Sequence, residues 1–161
     1  MNKPIIAALM LAGASIPLAA CGGEPEQPAE AVDANAIAGI EITNARLVLP
    51  PVSGNPAAVY FDLGNAGERS VTFRNAEVTG AGRAEIHQSM MEGEKMVMGE
   101  AHPQTIQPGG SLEFAPGGMH VMVFDLAEDM TAGGTVEVTL VAAGGKRHTF
   151  TAEIQAAGDD R

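Results

Sequence analysis

Two histidines and two methionines in the middle of the chain have the types and the spacing of a metal site. These residues are His87, Met98, His120 and Met122. Ten residues separate the first two, twenty-one separate the next two, and one separates the last pair. Thioether sulfur is a soft ligand that favours Cu(I), while imidazole binds copper in either oxidation state. The set therefore predicts a site for one Cu(I) ion, and copper handling rather than copper chemistry.

The last pair needs only a strand to bring its side chains together. His120 and Met122 are two residues apart, so on a strand both point to one face, while Met119 and Val121 point to the other. Gly117-Gly118 lies just before them. The sequence therefore predicts that His120 stands at the start of a strand, near a loop end that solvent can reach.

A hairpin is predicted to bring the first pair together. The acidic stretch 92–94 is the natural turn. In a register symmetric about residues 92 and 93, with Met91 facing Glu94, His87 lies directly opposite Met98. Directly opposed Cβ atoms are about 4.5–5.5 Å apart, which is close enough for one ion to be held between the two side chains.

The remaining methionines and histidines are interpreted mainly as structural. Methionine usually fills core gaps, and this interpretation covers Met90, Met91, Met96, Met119 and Met130. In the predicted hairpin, however, Met91 and Met96 share the face of His87, where they could shield the ion or bind it transiently. His102 and His148 have no well-placed soft partner and are interpreted as surface or structural residues.

Short apolar runs between turn signals predict an all-β domain over residues 39–155. Such spacing is typical of an antiparallel sandwich or a Greek-key barrel. Aromatic residues make up only 4% of the chain, which predicts an aliphatic core. The predicted strands are Ile40–Leu49, Ala57–Leu63, Ser70–Val78, Ala84–Met90, Lys95–Gly99, Ser111–Phe114, His120–Leu126, Thr135–Ala142 and Arg147–Ile154. Residues 156–161 are predicted to be a frayed acidic tail.

The first part of the chain has the pattern of an export signal. A positive start and an apolar run occupy residues 1–20, which predicts a signal peptide. Leu18-Ala19-Ala20-Cys21 resembles the lipobox of bacterial lipoproteins, so Cys21 is predicted to carry the lipid. Residues 21–38 are rich in Gly, Glu, Pro and Ala and are predicted to be a disordered tether. Gly22 stands where an Asp would resemble an inner-membrane retention signal, so we expect a periplasmic protein anchored to the membrane, with a preference for the outer membrane.

The formal net charge of −11 excludes one class of partner. A nucleic-acid-binding protein needs a basic surface to neutralise phosphates, and this chain has 20 acidic residues against 9 basic ones. We therefore expect no nucleic acid among its partners.

These residues and their spacings resemble the PCu(A)C family of periplasmic copper chaperones. The family pattern is a His, ten residues, a Met, twenty-one residues and then His-x-Met, and the chain meets it without insertion or deletion. The flanking segments 57–61, 84–87 and 116–122 agree as well, and the similarity covers about Ile40 to Ile154.

The resemblance implies a cupredoxin-like Greek-key barrel that binds Cu(I) at its surface. It also implies delivery towards the Cu(A) centre of cytochrome c oxidase, to subunit II directly or through a Sco-type protein. Separately, we expect a monomeric carrier and not an enzyme. Some relatives bind a second copper with a His- and Met-rich tail. Residues 151–161 contain neither residue type, so we expect one copper per chain.

Other functions are weighed against this one. A blue-copper electron carrier needs a Cys thiolate, and the domain has none. A copper oxidase or dismutase cycles through Cu(II), which a methionine-rich site disfavours. Copper storage or tolerance and a metal-free binding module stay open as alternatives.

Overall fold

The computed structural model describes residues 36–158. The predicted signal peptide, Cys21 and most of the tether lie outside the described residues, as do residues 159–161 of the predicted tail. Ten strands make up the described part. They are β1 (Ile40–Val48), β2 (Ala57–Asn65), β3 (Val71–Val78), β4 (Ala81–Glu92), β5 (Lys95–Glu100), β6 (Gln104–Ile106), β7 (Ser111–Phe114), β8 (Met119–Leu126), β9 (Thr135–Ala142) and β10 (Arg147–Gln155).

All nine predicted strands are confirmed, and sequence analysis missed one. The missed strand, β6, has only three residues and follows Pro103. It pairs with β3 through Val71, Thr72 and Phe73. A strand of three residues is too short for a period-2 pattern to distinguish it from a loop.

The strands are hydrogen-bonded in the order β5-β4-β8-β7-β2-β1-β10-β9-β3-β6, with a further pairing of β8 with β2. Most neighbours are antiparallel, while β1 with β10 and β7 with β8 are parallel. The sheet must curl, because β3 and β4 lie near opposite ends of this order and only Thr79 and Gly80 join them. The prediction of an all-β domain is therefore confirmed.

The core lies inside the curled sheet and is mainly aliphatic, as predicted. Val59, Val121, Val138 and Leu140 are fully buried. An aromatic cluster joins them, since the Phe61 ring stacks on Phe114 with centroids 4.1 Å apart. Burying one such side chain contributes about 1.5–3 kcal/mol. This core holds the middle of the sheet rigid and leaves the opposite face of β4 and β8 free for other side chains.

The packed domain begins slightly earlier than predicted. Ile37 lies within the range predicted as tether, yet it is buried. Its backbone N–H donates a hydrogen bond to Nδ1 of His148 over 3.3 Å. The described end of that segment is therefore part of the core. No helix long and apolar enough to cross a membrane occurs in residues 36–158.

Candidate metal centre

The site begins on β8, which places His120 and Met122 on one face. Met119, Val121 and Val123 alternate with them and are buried in the core. The two candidate ligands therefore lie on the face that points away from the core. His120 is nevertheless only 5% exposed, because neighbouring side chains cover its ring.

The second histidine lies directly opposite the first. β4 pairs with β8 in a register that sets His87 against His120 and Glu85 against Met122. The two imidazole centroids are 6.0 Å apart. Sequence analysis had expected the partner of His87 to be Met98, and it did not predict the contact between the two histidines.

Hydrogen bonds select the ring nitrogen that each histidine can offer. Nε2 of His87 lies 3.0 Å from a carboxylate oxygen of Glu85, and Nδ1 of His120 lies 3.2 Å from the carbonyl of Gly118. Both oxygens accept, so these nitrogens carry the protons. The lone pairs are then on Nδ1 of His87 and Nε2 of His120. Nδ1 of His87 is buried and has no hydrogen-bond partner, which is unusual unless a ligand binds there.

The surroundings of Glu85 favour its ionised form, and those of His120 favour its neutral form. The hydrogen bond from His87 lowers the pKa of Glu85, and the charge of Arg83, 2.6 Å away, lowers it further. Burial lowers the pKa of His120. An ionised Glu85 that accepts from His87 is the arrangement by which proteins commonly orient a metal-binding histidine.

The hairpin of β4 and β5 has a different register from the predicted one. Glu92 pairs with Lys95, so the two-residue turn is Gly93-Glu94, and the predicted pairing of His87 with Met98 is wrong. Gly93 has a φ of +65° at the first turn position, which type II′ turns reserve for glycine. The predicted turn would have required a positive φ at Glu92, which an L side chain disfavours.

Met98 consequently lies one diagonal step from His87. Met98 is paired with Ser89, and Glu100 is paired with His87. The observed register differs from the predicted one by two residues, so Met98 stays on the same face as His87. Diagonal neighbours, however, are about 7–8 Å apart. The structure thus brings His87, His120 and Met122 together, and it leaves Met98 at the edge of the group.

Several methionines interpreted as core residues prove to be surface residues. Met119 is buried as predicted, and Met130 packs partly against the core. In contrast, Met90, Met91, Met96 and Met98 are exposed by 49%, 60%, 63% and 55%. Met91 pairs with Met96 on the site face, as predicted for that face. The interpretation of Met90, Met91 and Met96 as core filler is wrong, because β4 and β5 extend past the rest of the sheet there.

Two further residues shape the site and were not assigned roles from the sequence. Glu85 could have been found, since a Glu-x-His step on a strand places both side chains on one face. Tyr60 could not have been found from the sequence, since it lies on β2, far away in the chain. Its ring lies 6.3 Å from that of His120. The guanidinium of Arg46 lies over the ring of Tyr60, 5.1 Å from its centroid. Tyr60 and Arg46 therefore close the flank of the site towards β1.

The other histidines lie outside the group, as expected. His102 is exposed beyond the end of β5, and His148 is buried beside Ile37. In residues 36–158 no three His, Cys, Asp or Glu side chains form a metal-binding cluster.

Comparison with known proteins identifies the family. The model of the LpqE-like putative lipoproteins matches residues 40–154. The chain belongs to this family. The LpqE-like chain is 29% identical over 143 residues to a putative lipoprotein of Leifsonia xyli subsp. xyli, which covers 87% of the chain and 80% of the relative. It is also 30% identical over 84 residues to an uncharacterized protein of Rickettsia prowazekii, of which the match covers 46%.

Solved structures share the fold of the LpqE-like chain. The copper-bound PCuAC domain from PmoF2 has a TM-score of 0.61 and 21% identity, over 75% of this chain and 96% of that one. The Cu(I) form of DR1885 from Deinococcus radiodurans has a TM-score of 0.56 and 27% identity, over 80% of this chain and 85% of that one. The resemblance to PCuAC domains stated from the sequence is thereby confirmed.

Proposed function

We propose that this LpqE-like protein is a copper(I)-binding metallochaperone that carries Cu(I) outside the cytoplasm. The observation that carries the proposal is the facing pair of His87 and His120, with Met122 beside them and an unpartnered, buried Nδ1 on His87. The comparisons support it, since DR1885, a relative at 27% identity, was solved in its Cu(I) form.

The donor set fits Cu(I) better than other common metals. Two imidazoles supply borderline nitrogen ligands, and Met122 and Met98 supply soft sulfur. All four ligands are neutral, so bound copper keeps its single positive charge, and softness and geometry must supply the affinity. Such ligands can be replaced one at a time by the thiolates of an acceptor, which makes the site suited to carrying copper and not to catalysis.

Delivery is proposed to run towards the Cu(A) centre of cytochrome c oxidase, directly or through a Sco-type protein. We further propose that the protein acts as a monomer with one tightly bound copper and is anchored in the periplasm by lipid on Cys21. The preference for the outer membrane rests on Gly22 alone. Copper storage is the alternative for the same site, and the two differ in whether copper leaves readily.

An anaerobic Cu(I) titration of the full-length protein in detergent, against a coloured Cu(I) chelator, tests the proposal. We expect one tight equivalent of Cu(I), with weak binding of Cu(II) and Zn(II). Addition of a dithiol acceptor should then remove the copper quickly, whereas a storage protein would retain it. No competition with the chelator would refute copper binding at these residues and favour a metal-free binding module.

A further inference from the structure

The tip of the β4–β5 hairpin presents a row of thioethers to solvent. Met91 on β4 lies directly opposite Met96 on β5, and Met98 follows on the same face of β5. We call Met91, Met96 and Met98 the hairpin methionines. Each is more than half exposed. Single exposed apolar residues are ordinary, but three on one face, each carrying a soft sulfur atom, match the chemistry of Cu(I).

Met98 is the hairpin methionine that lies nearest to the histidines. Its cross-strand partner is Ser89, which stands between His87 and Met91 on β4. Met98 is therefore diagonal to both of them. Methionine has three rotatable bonds beyond the backbone, so its sulfur can turn towards His87 or towards Met91 without a change in the strand.

The tip of the hairpin is held less firmly than the rest of β4. Pairing of β4 with β8 ends at Gln88, and the Ser89 N–H donates to the carbonyl of Gly118 just beyond. Residues 90–92 pair only with β5, which is an edge strand of the sheet. A two-stranded hairpin without a third strand is marginally stable, so this tip can bend towards the histidines at low cost.

Charge at the tip favours the approach of a cation. Glu92 and Glu94 flank Gly93 at the turn, and both are exposed. The only basic residue in β5 is Lys95. Acidic surface of this kind raises the local concentration of cations, and the whole chain has a formal net charge of −11.

We propose that the hairpin methionines form a second, weaker Cu(I) site that loads the four-residue site of His87, Met98, His120 and Met122. The transfer of copper to the four-residue site rests on the proposed function. Copper first binds the sulfur atoms of Met91, Met96 and Met98. The Cu–S bonds to Met91 and Met96 then break as bonds form to Nδ1 of His87, Nε2 of His120 and the sulfur of Met122, while Met98 stays bound. Copper remains Cu(I), and no electron or proton is transferred.

The first test follows each methionine methyl group by NMR. Full-length protein labelled at the methionine methyl groups is titrated anaerobically with Cu(I) supplied as its acetonitrile complex. We expect the first equivalent to shift the methyl signals of Met98 and Met122. Further Cu(I) should shift those of Met91 and Met96. Its affinity should be at least about tenfold weaker, because Met98 is already bound to the first ion and no imidazole takes part. The Met90 signal should not move, since Met90 lies on the opposite face.

The second test removes sulfur from the hairpin while keeping its apolar bulk. The double variant Met91→Leu and Met96→Leu should lose the second equivalent and load the first about tenfold more slowly from a chelator. Its equilibrium affinity for the first equivalent should stay that of the wild type. Met90→Leu is the matched control, because it makes the same change on the same hairpin, and it should alter none of these quantities.

The outcomes separate this inference from the proposed function. Methyl signals of Met91 and Met96 that stay unmoved up to millimolar Cu(I) would overturn the second site, whatever happens at the histidines. An unchanged loading rate in the double variant would overturn the loading role. If the first equivalent shifts the hairpin methionines and leaves Met122 unmoved, the hairpin site stands and the four-residue site falls.

Discussion

His87 and His120 face each other across adjacent antiparallel strands, with ring centroids 6.0 Å apart. The ladder of β4 with β8 runs from Ala81 to Gln88, and the core residues beneath it are buried. The strand pairing by itself therefore sets the two imidazoles face to face. Such preorganisation reduces the free energy spent on ordering ligands, which suits a site made of neutral donors.

We expect Met122→Ala to weaken Cu(I) binding by about tenfold or more and to leave the domain folded. Met122 lies on the outer face of β8 and is only partly buried, so its loss leaves no large cavity. Chelator competition and thermal unfolding measure the two effects. Met130→Ala is the control, since Met130 packs against the core and its removal should lower stability alone. Wild-type affinity in the Met122 variant would remove this residue from the site.

Glu85 is expected to act as a positioning residue for His87. Glu85→Ala should lower Cu(I) affinity about tenfold, the lower end of what loss of such a partner costs, because the ring of His87 is no longer oriented. Glu85→Gln should recover part of the affinity, since its amide oxygen still accepts from Nε2. Glu137→Ala on β9 makes the same change in net charge at a distance and should have no effect. Equal losses in the Ala and Gln variants would argue against orientation.

His148 is predicted to support the fold and not the metal. His148→Ala leaves the buried N–H of Ile37 without its acceptor, which costs about 1–3 kcal/mol of stability. Chemical denaturation measures the loss, and the copper stoichiometry of the folded variant should not change. His102→Ala, at an exposed position, is the control and should alter neither the stability nor the copper stoichiometry. A loss of copper in the His148 variant while it remains folded would contradict this prediction.

The ion pair of Glu77 and Arg147 should make a small part of the stability depend on pH. The hydrogen bond from Arg147 lowers the pKa of Glu77. The folded state therefore binds the proton less well than the unfolded state, and the stabilisation is present at neutral pH and lost as the pH falls through the lowered value. We expect the wild type to have a slightly higher melting temperature than the Glu77→Gln variant at pH 7. In acid the two melting temperatures should be the same. A difference in melting temperature that persists in acid would show that the side chain of Glu77 stabilises the fold by packing.

The shared face of His120 and Met122 and nine of the ten strands could be predicted from the sequence. Alternation with a period of two indicates which residues share a strand face, and glycine clusters indicate turns. Both signals can be read from the sequence because they depend only on neighbouring residues in the chain. His120 and Met122 were placed correctly for this reason. Even the wrong hairpin register kept Met98 on the right face, since a shift of two residues preserves the alternation.

Which residues lie opposite one another was decided only by the tertiary structure. The pairing of His87 with His120 joins strands separated by β5, β6 and β7 in the chain, and Tyr60 comes from still farther away. Such contacts depend on how the whole sheet curls around its core. The turn at Gly93-Glu94 was decided by backbone sterics, since only glycine adopts its positive φ without strain. The sequence by itself thus determined which side-chain chemistry is available, and the curled sheet and one glycine decided which candidate ligands meet.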